Sequence, residues 1–350
     1  MRILFPTLFC LFYIISCTAQ KPIQLQSLNL DERHVLLLPD SADAARFIGE
    51  DRTDLFFERV TAVEMSIQMK QPLEANQTRI EMLPAFVDYL RRDMESFSPH
   101  ESQVVAAVMQ SVFNTCQMVA PDLFPDTLIM LKTKGKHYGP SVYYTRENCI
   151  VIPADVLTDE MRWQFTTTMY HELFHVFSRL NPEKRARLYK LIGFETIGLH
   201  QLRLPEQLAA RMLHNPDGVD FAQKITLDTG NGKMIDAIPV LYANHPGFRP
   251  EKQDFFGYVE FNLYQIEKTP EGAWKVLTQP DGYTSLLNLQ NLPDFFRQIK
   301  DNTGYIIHPD EVLADNFAFL MQGKMNPQIT AKFSESGKKL IADLEAVLKD

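Results

Sequence analysis

The feature that most constrains this chain is His171-Glu172-Leu173-Phe174-His175, two histidines four positions apart with a glutamate after the first. On a helix, residues four apart share a face with Cβ atoms about 5–6 Å apart, so both imidazoles can reach one ion. The flanking sequence predicts that helix: Thr158 or Asp159 can cap it, and Asn181-Pro182 stops it after about Leu180. Phe165, Met169, Phe174 and Phe177 make it a buried one. Two histidines and a glutamate buried with nothing to pair them are costly. Zinc resolves the conflict, because it accepts neutral imidazole nitrogens at about 2.0–2.1 Å. Glu172 is turned about 100° from the first histidine, where its carboxylate can act as general base on a water activated by the metal.

A catalytic zinc needs a third protein ligand and an open position. One extended form of the motif asks for glycine and a third histidine at positions 178 and 181, where this chain has Ser178 and Asn181, so that form is excluded. Two glutamates remain. Glu195 follows at short range, but Gly193 and Gly198 flank it and no helical period surrounds it. Glu311 stands in His308-Pro309-Asp310-Glu311-Val312-Leu313-Ala314-Asp315, a helix opening with proline that puts Glu311 and Asp315 on one face. There Asp315 would orient a zinc histidine from behind. Glu311 is the expected third ligand; Glu195, and after it a residue such as His308, are the alternatives. His308 and Tyr305, beside this helix, are candidates for stabilising a transition-state oxyanion. Either can equally be a capping or packing residue.

These two motifs resemble those of the zincin metallopeptidases of gluzincin type. The resemblance covers roughly residues 140 to 180 and 305 to 320. It implies an α+β fold with a zincin-like catalytic core, zinc as cofactor, a peptide or protein as substrate, and Glu172 as the catalytic base. It also implies a strand edge before the active helix that pairs with extended substrate, here Tyr143 to Pro153. A non-catalytic scaffold that binds a protein or glycan is the alternative, and the intact Glu172 weighs against it. Hydrolysis of a non-peptide amide is equally compatible.

Around this core the chain of 350 residues divides by pattern. Residues 1–17 read as an export signal: Arg2, then the apolar run Ile3 to Ile15, too short for the roughly 20 residues that span a bilayer. Ile14-Ile15-Ser16-Cys17 resembles a bacterial lipobox, with Cys17 the lipidated residue; cleavage after Ala19 is the alternative. A lipid-anchored protein of the bacterial envelope, facing periplasm or exterior, is the expected setting, and plain secretion the other. Residues 18–40 then read as a tether and 41–125 as a helical subdomain. Residues 126–215 form a catalytic subdomain, 216–285 a β-rich insertion, and 286–350 a C-terminal helical part. Within them, Ser98-Pro99-His100-Glu101 is a capping box. Leu128 to Leu131 and Val142 to Ile152 read as a hairpin or small sheet, and Asp228-Thr229-Gly230-Asn231-Gly232 as a hairpin turn. Cys116 and Cys149 read as two separate buried thiols. A net charge of -9 and a pI near 5.5 exclude a nucleic-acid partner.

Overall fold

The computed structural model describes residues 26–350 except 159, 161, 219 and 231. The export signal, Cys17 and the start of the expected tether lie outside the described residues, as do Asp159 and Asn231. Two mixed sheets and a set of helices make up the α+β fold. The first sheet contains β1 (Gln26–Asn29), β2 (Val35–Leu38), β3 (Met94–Glu95), β4 (Thr127–Thr133), β5 (Tyr144–Arg146) and β6 (Cys149–Pro153). Its order is β1-β2-β4-β6-β5, with β3 paired to β4.

This sheet is covered on both faces, which accounts for the unbroken apolar run of β4. Leu128, Met130, Ile150 and Ile152 face one core with the helices Pro99–Gln117, Arg162–Leu180 and Pro309–Met325. Ile129, Leu131, Cys149 and Val151 face a second core, built with Phe56, Phe86 and Tyr258. The histidine helix packs against both of the other long helices. Phe165, Phe174 and Phe177 are fully buried there. Each such side chain is worth roughly 1.5–3 kcal/mol of burial, so the motif sits on one of the best-anchored elements of the molecule.

The second sheet runs β7-β9-β10-β11-β12-β8 and comprises β7 (Phe194–Thr196), β8 (Leu202–Arg203), β9 (Gln223–Asp228), β10 (Met234–Ala243), β11 (Val259–Lys268) and β12 (Trp274–Val276). Among the described residues, no helix is long and apolar enough to cross a membrane.

Three sequence expectations change. The tether reading of 18–40 fails for residues 26–38, which form β1 and β2; Leu36 and Leu38 alternate into the core and Val35–Leu37 pair in parallel with β4. Of the hairpin or small sheet expected between Leu128 and Ile152, the sheet forms and the hairpin does not: β4 and β6 pair in parallel, and the tight turn lies at Glu147-Asn148 between β5 and β6. Glu147 adopts a left-handed φ of 52° there. The β-rich region begins before residue 216, because β7 and β8 belong to its sheet. The expected subdomains also share a core, since one apolar cluster runs from Leu30 to Leu348. Cys116 and Cys149 are both free and buried.

Candidate metal centre

The histidine helix spans Arg162–Leu180. One helical turn brings the His171 and His175 rings to a centroid separation of 4.7 Å. The second element is the helix Pro309–Met325, which opens with proline after a His308 N-cap. From it Glu311, almost fully buried, places Oε2 3.1 Å from His171 Nε2 and 3.4 Å from His175 Nε2. Four-coordinate zinc with bonds of about 2.0–2.1 Å holds its ligand atoms about 3.3 Å apart. Both Glu311–histidine separations therefore match what one tetrahedral ion imposes, and all three ligand atoms lie within 4.8 Å of one another.

The far side of each imidazole is held by a carboxylate. His171 donates from Nδ1 to Asp315 Oδ1 at 2.9 Å, and His175 donates from Nδ1 to Asp310 Oδ2 at 2.7 Å. With each Nδ1 held by a carboxylate, each Nε2 faces the shared point, where it would offer its lone pair once its own proton is displaced. Asp310 is itself oriented by the hydroxyls of Ser178 and Tyr189. Asp315 accepts from the Thr303 hydroxyl, and Glu311 Oε1 accepts from the Asn215 amide.

The electrostatics point the same way. Burial pulls the His171 pKa down, but hydrogen bonds to Asp315 and Glu311 outweigh it and push it up to about 10. His175 is raised in the same manner, chiefly by the Glu311 charge against burial, while Glu311 is held well below the usual range by the two histidines despite its burial. The pocket thus stabilises positive charge between three ligand-type atoms. His175 Nε2 is buried without a hydrogen-bond partner. An orphaned imidazole nitrogen, a second one beside it and a carboxylate oxygen make a donor set that fits zinc.

Glu172 is 5% exposed, and its Oε2 also lacks a partner. Burial and the nearby Asp217 carboxylate push its pKa up to about 8. Glu172, His175 and Asp217 each present a ligand-type atom within 4.8 Å of the others. Asp217 meets the first sheet at its edge strand β5. Its Oδ1 accepts from the Thr145 backbone N–H at 2.6 Å and hydroxyl at 2.8 Å. Arg179, in the last turn of the histidine helix, locks the arrangement. It donates to the carbonyls of Glu147, Pro216 and Asp217 and to the Thr145 hydroxyl.

The other candidates fall into place. Glu195 lies on β7, its side chain 63% exposed and 3.8 Å from Lys224 Nζ, away from both histidines. His308 accepts from the Asp310 N–H through Nδ1 at 3.1 Å and bonds the Asp220 carbonyl through Nε2 at 2.8 Å. With both nitrogens engaged it is a helix cap, and neither a ligand nor an oxyanion donor. Tyr305 does lie at the site, stacked on His171 with centroids 6.0 Å apart and planes 16° from parallel. Of the expected edge strand Tyr143 to Pro153, only β5 is an edge; β6 is interior.

Asp310, Asn215 and Asp217 are site residues that sequence reasoning missed. Asp310 reads as a helix-dipole acid beside the proposed ligand, and the segment around Asn215 and Asp217 carries no periodic signal. No protein-family model, curated protein or solved structure matches the chain.

Proposed function

We propose that this protein is a zinc-dependent hydrolase, and that its substrate is a peptide or protein. The observation that carries the reading is the position of Glu311 Oε2, 3.1 and 3.4 Å from the two histidine Nε2 atoms. A site built only for packing has no use for a carboxylate oxygen shared between two imidazole nitrogens, with a further carboxylate behind each ring. Zinc held by His171, His175 and Glu311 supplies Lewis acidity to a water and to a substrate carbonyl.

The chain's own residues do the rest. Asp310 and Asp315 keep the imidazoles oriented. Glu172 takes a proton from the attacking water and delivers it to the departing nitrogen. Its raised pKa suits both transfers near neutral pH. Tyr305, whose ring stacks on His171, is the candidate donor to the developing oxyanion. The amino-terminal pattern supports export and anchoring through a lipid on Cys17 in a bacterial envelope. Zinc-binding without hydrolysis, as in a scaffold for a protein or glycan, is the competing reading.

Glu172→Gln separates the two. The amide is near-isosteric and cannot accept the proton, so zinc content should stay near one per chain while peptide hydrolysis falls by about 10²–10⁴-fold. Hydrolysis that survives the change contradicts the role given to Glu172.

A further inference from the structure

Beside the metal centre lies a cavity of about 200 Å³. Its walls are mostly apolar and aromatic, with Tyr138, Val142, Tyr144, Leu241, Phe255 and Tyr305 among them. Asp217 lines it as well and lies next to Glu172 and His175, so the cavity and the metal centre meet at this carboxylate.

The placement of Asp217 has two consequences. First, β5 is a sheet edge, the kind of strand on which an extended peptide adds by main-chain pairing. At Thr145 its N–H is already taken by Asp217, so a substrate strand cannot continue past that point. Second, the Asp217 carboxylate stands where the cavity meets the metal centre, within 4.8 Å of ligand-type atoms of Glu172 and His175. Arg179 acts on Asp217 from within the fold, through the Pro216 and Asp217 carbonyls and the Thr145 hydroxyl, and makes no direct bond to its carboxylate.

The site therefore favours a cation close to the scissile carbonyl. In an amino-terminal residue the α-ammonium is about 2.5 Å from its own carbonyl carbon, from standard backbone dimensions. A lysine or arginine head group is several bonds farther away. With the carbonyl at the metal, the α-ammonium is the group that reaches Asp217, and the side chain of the same residue is the part that enters the cavity. Aromatic walls suit a large apolar or aromatic side chain.

Resting on the hydrolase reading above, we infer that the site takes the free amino-terminal residue of a peptide, its ammonium on Asp217 and its large apolar side chain in the aromatic cavity. The chain then acts as an aminopeptidase.

The test is calorimetric titration of the zinc-loaded Glu172→Gln chain, which binds without turning over. The ligands are Phe-Ala-Ala-amide, its N-acetyl form, and Ala-Ala-Ala-amide. The free-amine phenylalanyl peptide should bind at least about tenfold tighter than the acetylated one. Adding Asp217→Asn should erase that difference. Adding Val142→Trp, which narrows the cavity from its wall, should weaken the phenylalanyl peptide about tenfold and the alanyl peptide much less. Equal binding of free and acetylated peptides, or no binding of either at millimolar concentration, overturns the inference. Wild-type cleavage distinguishes the two levels of the account. If acetylated and internal bonds are cut as fast as amino-terminal ones, the inference fails and the hydrolase stands. If nothing is cut, the hydrolase reading fails and the titration still decides whether the ammonium site exists.

Discussion

Asp310 Oδ2 lies 2.7 Å from His175 Nδ1, and neither side chain has any exposed surface. Asp310 neighbours the proposed ligand Glu311 in sequence, so one turn of one helix supplies a proposed metal ligand and the support of another. Ser178 and Tyr189 complete its shell.

From this geometry Asp310→Ala should weaken zinc binding by about 10–100-fold, the usual cost of losing a partner behind a metal histidine. Asp315→Ala should do the same for His171. Asp310→Ala should also lower the melting temperature more than Asp315→Ala does, since it strands two buried hydroxyls as well as an imidazole. Zinc titration against a competing chelator, with thermal melts of the zinc-free proteins, checks both. Unchanged affinity in the Asp310 variant removes its orienting role.

Zinc binding should depend steeply on pH. In the metal-free protein His171 keeps its proton up to about pH 10, and His175 is raised as well. Zinc must displace those protons, so apparent affinity rises with pH and falls in acid. Between pH 6.5 and 8.5 the rise should be at least about tenfold per pH unit. The stability of the zinc-free fold runs the other way. The His171 contribution is fully present below the ordinary histidine pKa of 6.5 and is lost as pH rises through about 10. Affinity that stays flat over this range contradicts the assembly.

A separate prediction concerns the scaffold. Arg146 is 1% exposed and pairs with Asp54 at 2.8 Å and Asp51 at 2.9 Å. Its guanidinium also lies over the rings of Phe56 and Phe57. Arg146→Met leaves Asp51 without its cation and Asp54 with only Arg179, 3.9 Å away, and should cost about 3–5 kcal/mol of stability. The measurement is a denaturant midpoint. At a temperature where the variant remains folded, its zinc stoichiometry should match wild type. A loss of less than about 1 kcal/mol contradicts this account of the cluster.

The parts of the site readable in sequence were those with a local period. His171 and His175 share a helix, and Glu311 and Asp315 share another, so each pair announces itself by i,i+4 spacing. The Ser98 capping box was legible for the same reason, and both of its reciprocal bonds are present. What escaped was set by contacts distant along the chain. Asp217 reaches Thr145 through a connecting segment, and Asp310 reaches His175 across a helix interface. β1 and β2 were missed because four-residue strands at the chain's beginning look like linker until β4 pairs with them. The parallel pairing of β4 with β6 is not legible, because glycines 135 and 139 signal a turn without saying which strands pair, and so leave hairpin and small sheet both open. His308 drew attention by its position, yet its nitrogens are both taken up by backbone groups.

The account rests on Glu311 as the third ligand, and zinc content in paired variants tests it most directly. After zinc loading and desalting, elemental analysis of wild type should give about one zinc per chain. Glu195→Ala should give the same, because that side chain is exposed on β7. Glu311→Ala should retain well under half, because it removes the carboxylate that faces both Nε2 atoms. Zinc kept by Glu311→Ala and lost by Glu195→Ala would contradict the site described, and a wild-type chain that holds no zinc would contradict the function proposed.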